Sequence, residues 1–251
     1  IRLRGLSVDE ANTVVVTGAG RYSHSGQGLH HFVDPVDGET YLYTHFEPAD
    51  SRRLYPNFEQ PDLKANFNFS IITPVGWRAF SNGATVETEL LSYGVRHTFA
   101  PTPRLSTYLT ALVAGPYAYF SDTWIAADGR EVELGMACRS SLAEYFELDE
   151  LFTITKQGMS FFDENFGYPY PWGKYDSVFV PEYNIGAMEN PGCVTFNENY
   201  IFRSAATRAQ RQTRANTILH EMSHMWFGDL VTPKWWDDLW LKESFAEFMG
   251  S

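Results

Sequence analysis

The chain has 251 residues, 44% hydrophobic and 16% aromatic, which is enough apolar material for one large domain or two modest ones. A formal charge of −12 and a pI near 5.0 argue against nonspecific attraction to nucleic acid or to anionic membranes, and no apolar run reaches the length of a membrane span. The two cysteines, Cys138 and Cys193, make neither a CxxC pair nor a disulfide framework, so a reducing, cytoplasmic setting is expected.

The first 120 residues read as β. Stretches rich in β-branched and aromatic side chains are predicted strands: NTVVVTG (12–18), GETYLYTHF (38–46), KANFNFSIITP (64–74), VRHTFA (95–100) and STYLTALVAG (106–115). Gly, Pro, Asn and Asp punctuate them, as in VDPVDGE and SNGA. Short strands separated by turns predict a twisted sheet or sandwich. PADSRRLYPNF is predicted to hold a short helix opened by Asp50. The opening IRLRGLSVDE reads as extended and alternating, with no apolar signal core.

The texture changes near residues 119–122. A strand pair follows, YFSDTWIAA and REVELGMAC, joined by Asp128-Gly129. Leu142, Phe146, Leu151, Ile154, Met159 and Phe162 recur at helical spacing and predict a long helix over 141–165, stopped by GYPYPWG. KYDSVFVP reads as a short buried strand and CVTFNENYIF as another, with further helices over 205–227 and 238–249. The chain starts at Ile1 rather than Met and ends inside a helical pattern, so it is expected to be a piece of a longer protein. The expected fold class is α+β: a partial, β-rich N-terminal domain over 1–120, then a mixed domain over 121–251.

Within the second long helix, ILHEMSHMWFGD sets His220 and His224 four apart with Glu221 between them. Positions i and i+4 lie about 40° apart around a helix and one turn along, so two imidazoles there can converge on one ion. Zinc takes nitrogen ligands at about 2.0–2.1 Å in a tetrahedral arrangement, and a catalytic site keeps one position for water, so a third protein ligand is needed. Glu221, about 100° round from His220, is better placed to reach that water as a general base than to ligate. The plain alternative is a solvated polar edge. Ile218, Leu219, Met222, Met225, Trp226 and Phe227 weigh against it, because histidines in so apolar a helix need partners. Pro233 forbids one continuous helix, and the next helix offers Glu243, 19 residues after His224, as third ligand. Glu247, one turn on, competes for that role or serves as an acceptor that orients a histidine.

VPEYNIGAMENPGCVTF (180–196) brackets Glu189 with Gly186, Pro191 and Gly192 in what reads as an irregular loop of close backbone approach. A surface glutamate is the ordinary reading; the functional one is a carboxylate that binds a cationic group of a substrate. GAMEN at 186–190, HEMSH at 220–224 and Glu243 together resemble the M1 family of zinc aminopeptidases, the gluzincins. FEPADSRRLYPNFEQPDLKANF and WWDDLWLKESFAEF look like further segments of that family, and YSHSGQGLHHFVDPVDGE is similar to its actinobacterial members. The resemblance covers essentially the whole chain. It implies a saddle-like N-terminal sheet and, from 121, the front part of a thermolysin-like zinc peptidase domain. It implies one Zn2+ held by His220, His224 and Glu243. Glu221 would deprotonate a zinc-bound water and pass the proton to the leaving amine. Glu189 would grip the free α-ammonium of a peptide substrate, with Glu47 of THFEP as its partner. Gly186, Ala187 and Met188 would line the first-residue pocket and hydrogen-bond the peptide backbone. An α-amino group has a pKa of about 7.7–8.0 and is largely cationic at neutral pH, so two carboxylates beside the metal would register the chain end.

The chain departs from the family in two places. His45 stands two residues before Glu47, where many members carry Gln, which bears on first-residue preference and places His45 among the substrate-binding candidates. The family also uses a tyrosine beyond the third ligand to stabilise the oxyanion, an effect worth about 3 kcal/mol. No tyrosine follows Glu243, so the chain by itself is expected to be a weak or inactive catalyst. The rival readings are a zinc endopeptidase, which would lack GAMEN, a family member that hydrolyses an epoxide, and a non-catalytic interaction module on the same scaffold. His24, His30 and His31 are expected to be surface or satisfied histidines, and Cys138 and Cys193 small buried residues. Arg203, Arg208, Arg211 and Arg214 are expected to form a solvated helix face.

Overall fold

Alternation along the first half produces two antiparallel sheets in the computed structural model, which describes residues 4–7 and 9–251. The extended reading of the opening segment falls partly on 1–3 and 8, outside the described residues. The strands are β1 (Gly28–Val33), β2 (Thr40–His45), β3 (Ser70–Thr73), β4 (Arg78–Ser81), β5 (Thr85–Leu91), β6 (Gly94–Phe99) and β7 (Leu112–Gly115). One sheet has the order β1-β2-β7-β4 and the other β3-β6-β5. β2 ties the first sheet to the rest of the molecule. Its alternating Tyr41 and Tyr43 are fully buried and meet Tyr117 and Tyr183 edge to face, with ring centroids 4.9 and 5.2 Å apart.

The second half contributes β8 (Tyr117–Ile125), β9 (Glu131–Arg139), α1 (Leu148–Phe166), β10 (Lys174–Val180), β11 (Ala187–Met188), β12 (Cys193–Asn197), α2 (Arg208–His224) and α3 (Leu239–Gly250). Its sheet runs β11-β12-β10-β9-β8, with β10 parallel to both neighbours and the outer pairs antiparallel. All seven residues of β10 are buried, as a parallel strand covered on both faces requires. One hydrophobic core runs from β2 and β7 through β9 and β10 to α1 and α2. No helix among the described residues is long and apolar enough to cross a membrane.

Several predicted elements differ. NTVVVTG forms no strand: no neighbour pairs with it among the described residues and Val15 is 84% exposed. β-propensity needs a partner to act on. β1, β4 and β5 were not predicted, because His30 and His31 mask the first, the second is four residues long, and the third is exposed along both faces and held by pairing with β6. STYLTALVAG splits into a 3-10 turn at Thr107–Leu109 and β7. The short helix at Asp50 is a single 3-10 turn, Ser51–Arg53, and the Asp50 carboxylate accepts from Arg53 instead of capping backbone. The helix predicted from 141 begins at Leu148, because Phe146 turns extended and packs its ring against Phe120 and Phe179. α2 opens with a capping box between Thr207 and Gln210. The arginine face is only partly solvated. Arg203 and Arg208 are exposed, but Arg214 is 1% exposed, pairs with Glu147 at 2.9 Å and Glu150 at 3.0 Å, and lies 4.4 Å over the Phe202 ring. Tertiary packing brings two carboxylates from the start of α1 onto that helix, which periodicity along α2 alone does not reveal.

The loop between β11 and β12 is clamped from the first half. Asn82 donates to the Pro191 carbonyl at 3.0 Å, and Lys174 donates to the carbonyls of Ser81 at 2.9 Å and Gly192 at 2.5 Å. Gly192 is left-handed at φ 71°, and a Cβ there would run into the Asn82 carbonyl oxygen. Gly192→Ala combines that backbone strain with overpacking against backbone and is expected to cost at least about 2 kcal/mol. The urea midpoint measures it, and a variant as stable as the parent would show that the clamp does not hold the loop.

Candidate functional site

The helical spacing of His220 and His224 brings their Nε2 atoms to 3.2 Å. Glu243, from α3, places Oε2 3.4 Å from His220 Nε2 and Oε1 3.6 Å from His224 Nε2. Ligands at about 2.0–2.1 Å from a tetrahedral ion stand about 3.3–3.4 Å from one another. The three side chains are therefore spaced to share one small cation. His224 is fully buried, and its Nδ1 is 2.8 Å from the Phe227 carbonyl. A carbonyl only accepts, so the proton sits on Nδ1 and the Nε2 lone pair faces the cluster. Burial works against a charge on His224, but Glu189 and Glu243 raise its pKa above the usual value. Glu247 lies behind His220, with Oε2 3.6 Å from Nδ1, and is not part of the triangle. α3 reaches α2 this closely because Gly250 has no side chain; a Cβ there would stand 2.9 Å from the Asn216 carbonyl oxygen and the His220 nitrogen.

Acid groups surround the triangle. Ligating atoms of Glu189, Glu221 and His224 lie within 4.8 Å of one another, as do those of Glu47, Glu189 and Glu243. Burial pushes the Glu221 carboxyl well up, and the neighbouring Glu189 and Glu243 push the same way. Glu189 is equally buried, yet Lys242 and then His224 hold its carboxyl below the ordinary value. Glu47, just after β2, is pushed up to about 7 by burial and by Glu189, with Lys242 opposing.

A cavity of about 540 Å³ opens over this cluster, lined by Glu47, Gly186, Ala187, Glu189, His220, Glu221 and Glu243, with Tyr200, Thr213, Asn216 and Thr217 continuing its wall. Met188 and His45 are not among its lining residues. Successive strand residues point to opposite faces, so Ala187 meets the cavity while Met188 is fully buried in the core. His45 is buried behind the wall, its Nδ1 3.3 Å from the Gly26 carbonyl and its ring edge-on to Tyr183 at 5.4 Å; burial lowers its pKa. His30 is likewise satisfied, with Nε2 3.1 Å from Glu182 and Nδ1 accepting from the Gly26 N–H at 3.0 Å. Cys138 and Cys193 are free and buried.

Sequence reasoning missed two residues. Lys242, 4% exposed, donates to Glu47 at 2.7 Å, to Glu243 at 2.6 Å and to Glu189. Its adjacency to Glu243 was visible, but lysines commonly line solvated helix faces, and only the packing shows this one to be inside. Asp229 is fully buried, and neither carboxylate oxygen has a hydrogen-bond partner among the described residues. Burial, seconded by Glu189, drives its pKa well up.

Two family models match the chain: the Peptidase M1 N-terminal domain over residues 9–109 and the Peptidase family M1 domain over 150–251. The chain is 53% identical over 227 residues to Aminopeptidase N of Streptomyces lividans, covering 90% of this chain and 26% of that protein. It is 33% identical over 220 residues to Probable aminopeptidase 1 of Sulfurisphaera tokodaii (87% of this chain, 27% of that protein). It is 35% identical over 217 residues to Aminopeptidase N of Rattus norvegicus (83% and 22%). The chain thus spans about a quarter of the length of these relatives.

Asp229 makes a pH test. Its pKa in the fold lies above the ordinary 3.8, so the folded chain keeps a proton that the unfolded chain releases. Stability from this group is therefore present below the unfolded value and lost as pH rises toward the folded one. Asp229→Asn has no proton to lose, so its urea midpoint relative to the parent, both metal-free, is expected to rise as the pH is raised above about 4. A difference that does not change with pH would show that Asp229 is ionised in the fold.

Proposed function

Because this chain belongs to peptidase family M1, we propose that its buried His–Glu cluster is the centre of a zinc aminopeptidase that removes N-terminal residues from peptides. The observation that carries this reading is the triangle of His220, His224 and Glu243 atoms at 3.2, 3.4 and 3.6 Å, with the carboxylates of Glu189 and Glu47 beside it. Those three residues would hold the zinc ion, which when bound supplies Lewis acidity to a peptide carbonyl and lowers the pKa of a water.

The remaining chemistry falls to the chain's own groups. Glu221 takes a proton from the attacking water and returns it to the leaving nitrogen. Its apolar, acidic surroundings make it a strong proton acceptor, and a dication beside it favours the ionised form at the start. Glu189 and Glu47 receive the substrate's α-ammonium, whose pKa of about 7.7–8.0 leaves it mostly charged at neutral pH. β11 is the outer strand of its sheet; the Gly186 carbonyl accepts from the Asn197 N–H within the sheet, and backbone at Ala187 is available to pair with a peptide laid down as one more strand. Met188 anchors that strand from the core, and His45 shapes the pocket from behind its wall. The β-rich part up to about residue 120 is the platform that presents Glu47, and the thermolysin-like part from 121 carries the metal ligands. The free, buried thiols Cys138 and Cys193 fit a reducing, cytoplasmic setting.

The test is hydrolysis of aminoacyl arylamides and short peptides by the full-length, zinc-loaded protein, set against the same substrates acetylated on the amine. Acetylation is expected to abolish cleavage; equal cleavage would sink the exopeptidase reading. Glu221→Gln is expected to keep its zinc and lose turnover by roughly a hundredfold or more. Loss of the metal along with activity would remove the case for Glu221 as base. Glu189→Ala is expected to raise KM for free amines by about tenfold or more while changing kcat less, since a lost charge-assisted hydrogen bond costs about 1.5–3 kcal/mol. Unchanged kinetics would refute its role in holding the amine.

A further inference from the structure

Lys242 has no part in the chemistry above, yet it sits where the acid groups meet. A lysine only 4% exposed is rare unless its charge is fully answered. Its Nζ donates to Glu47 Oε1 at 2.7 Å, to Glu243 Oε1 at 2.6 Å and to Glu189 Oε1. An ammonium has three donors, and all are spent on carboxylates. Oxygens of the same three carboxylates lie within 4.8 Å of one another, close enough to share one cation. The Tyr108 ring closes the pocket, its centroid 5.6 Å from Nζ. Lys242 occupies the place a cation would take.

We propose that Lys242 is a positioning residue that stands in for a second metal ion. Its ammonium fills the Glu47–Glu189–Glu243 pocket, holds the centre to one metal, and fixes the amine-binding carboxylates relative to the metal ligand. The inference rests on the zinc aminopeptidase reading and deepens it.

Glu243 is the shared element. Its Oε2 is 3.4 Å from His220 Nε2, while its Oε1 lies 3.6 Å from His224 Nε2 and 2.6 Å from Lys242 Nζ. A carboxylate that bridges two cations is how two-metal hydrolases hold ions about 3.5–4 Å apart. A tethered ammonium in the second position cannot dissociate, and it carries one positive charge instead of two. Held by the ammonium through one oxygen, each amine-binding carboxylate keeps its other oxygen for the substrate. Glu47 and Glu189 each give Oε1 to Lys242, and among the described residues no protein donor meets their Oε2 atoms, although both side chains line the cavity.

The experiment measures metal content and ligand affinity of the full-length protein and of Lys242→Ala after equilibration with excess Zn2+ and removal of loosely held metal. The parent is expected to retain about one equivalent and Lys242→Ala about two. The ratio of affinities for leucine hydroxamate and its N-acetyl derivative isolates recognition of the amine, and it is expected to fall by roughly thirtyfold or more in the variant. Lys242→Arg keeps the charge and is expected to retain one equivalent. Should Lys242→Ala be insoluble, Lys242→Ser leaves the same space and is read the same way. A parent with one ion and a variant still with one overturns this inference while leaving the zinc reading intact. A parent that takes up no ion overturns both.

Discussion

Buried carboxylates must be matched by a positive charge or keep a proton, and this requirement organises the whole molecule around one cavity. Glu189 and Glu221 are almost wholly buried, Glu47 is partly buried, and Glu243 stands against two imidazoles. In an interior of low effective dielectric, several such groups within a few ångströms of one another would drive the segments carrying them apart. Two solutions are visible. Lys242 answers three of the carboxylates directly, and Asp229 and Glu221, pushed upward in pKa, favour the protonated form. A cation between His220, His224 and Glu243 would be the third.

The cluster draws on four separate parts of the chain, so the scaffold has to fix their relative positions. Glu47 follows β2, whose tyrosines lock the first sheet onto the second half. Glu189 sits in a loop that Asn82 and Lys174 hold by its backbone. The histidines lie on α2, and the turn after them is pinned by Lys64, which donates to the Asp229 carbonyl at 2.6 Å. Further away, Arg139 joins Asp34 from the first half to Glu198 from the second. The β-rich half thus contributes to the geometry of the centre as well as supplying Glu47.

Some of this was legible because it is local. A spacing of four along one helix leads to converging imidazoles, and His224 and His220 do converge. Asp128-Gly129 marked the β8–β9 hairpin, and KYDSVFVP read as a short buried strand, as β10 is. Errors arose where the answer depends on partners from elsewhere. Val14, Val15 and Val16 have strong strand propensity and no strand beside them among the described residues. Arg214 looked like one of a solvated row until α1 placed Glu147 and Glu150 against it.

By itself, the sequence determined the chemistry available: two imidazoles one helical turn apart, a carboxylate on the following helix and another in a glycine-bracketed loop, together with the membership of peptidase family M1 that those segments carry. It did so because side-chain type and helical spacing are local properties. Only the tertiary structure decided that Lys242 is inside rather than on a solvated face, that it faces three carboxylates from three separate parts of the chain, and that the Asp229 carboxylate has no hydrogen-bond partner among the described residues. Burial and the sign of the nearest charge belong to what surrounds a residue in space, and chain order does not record them.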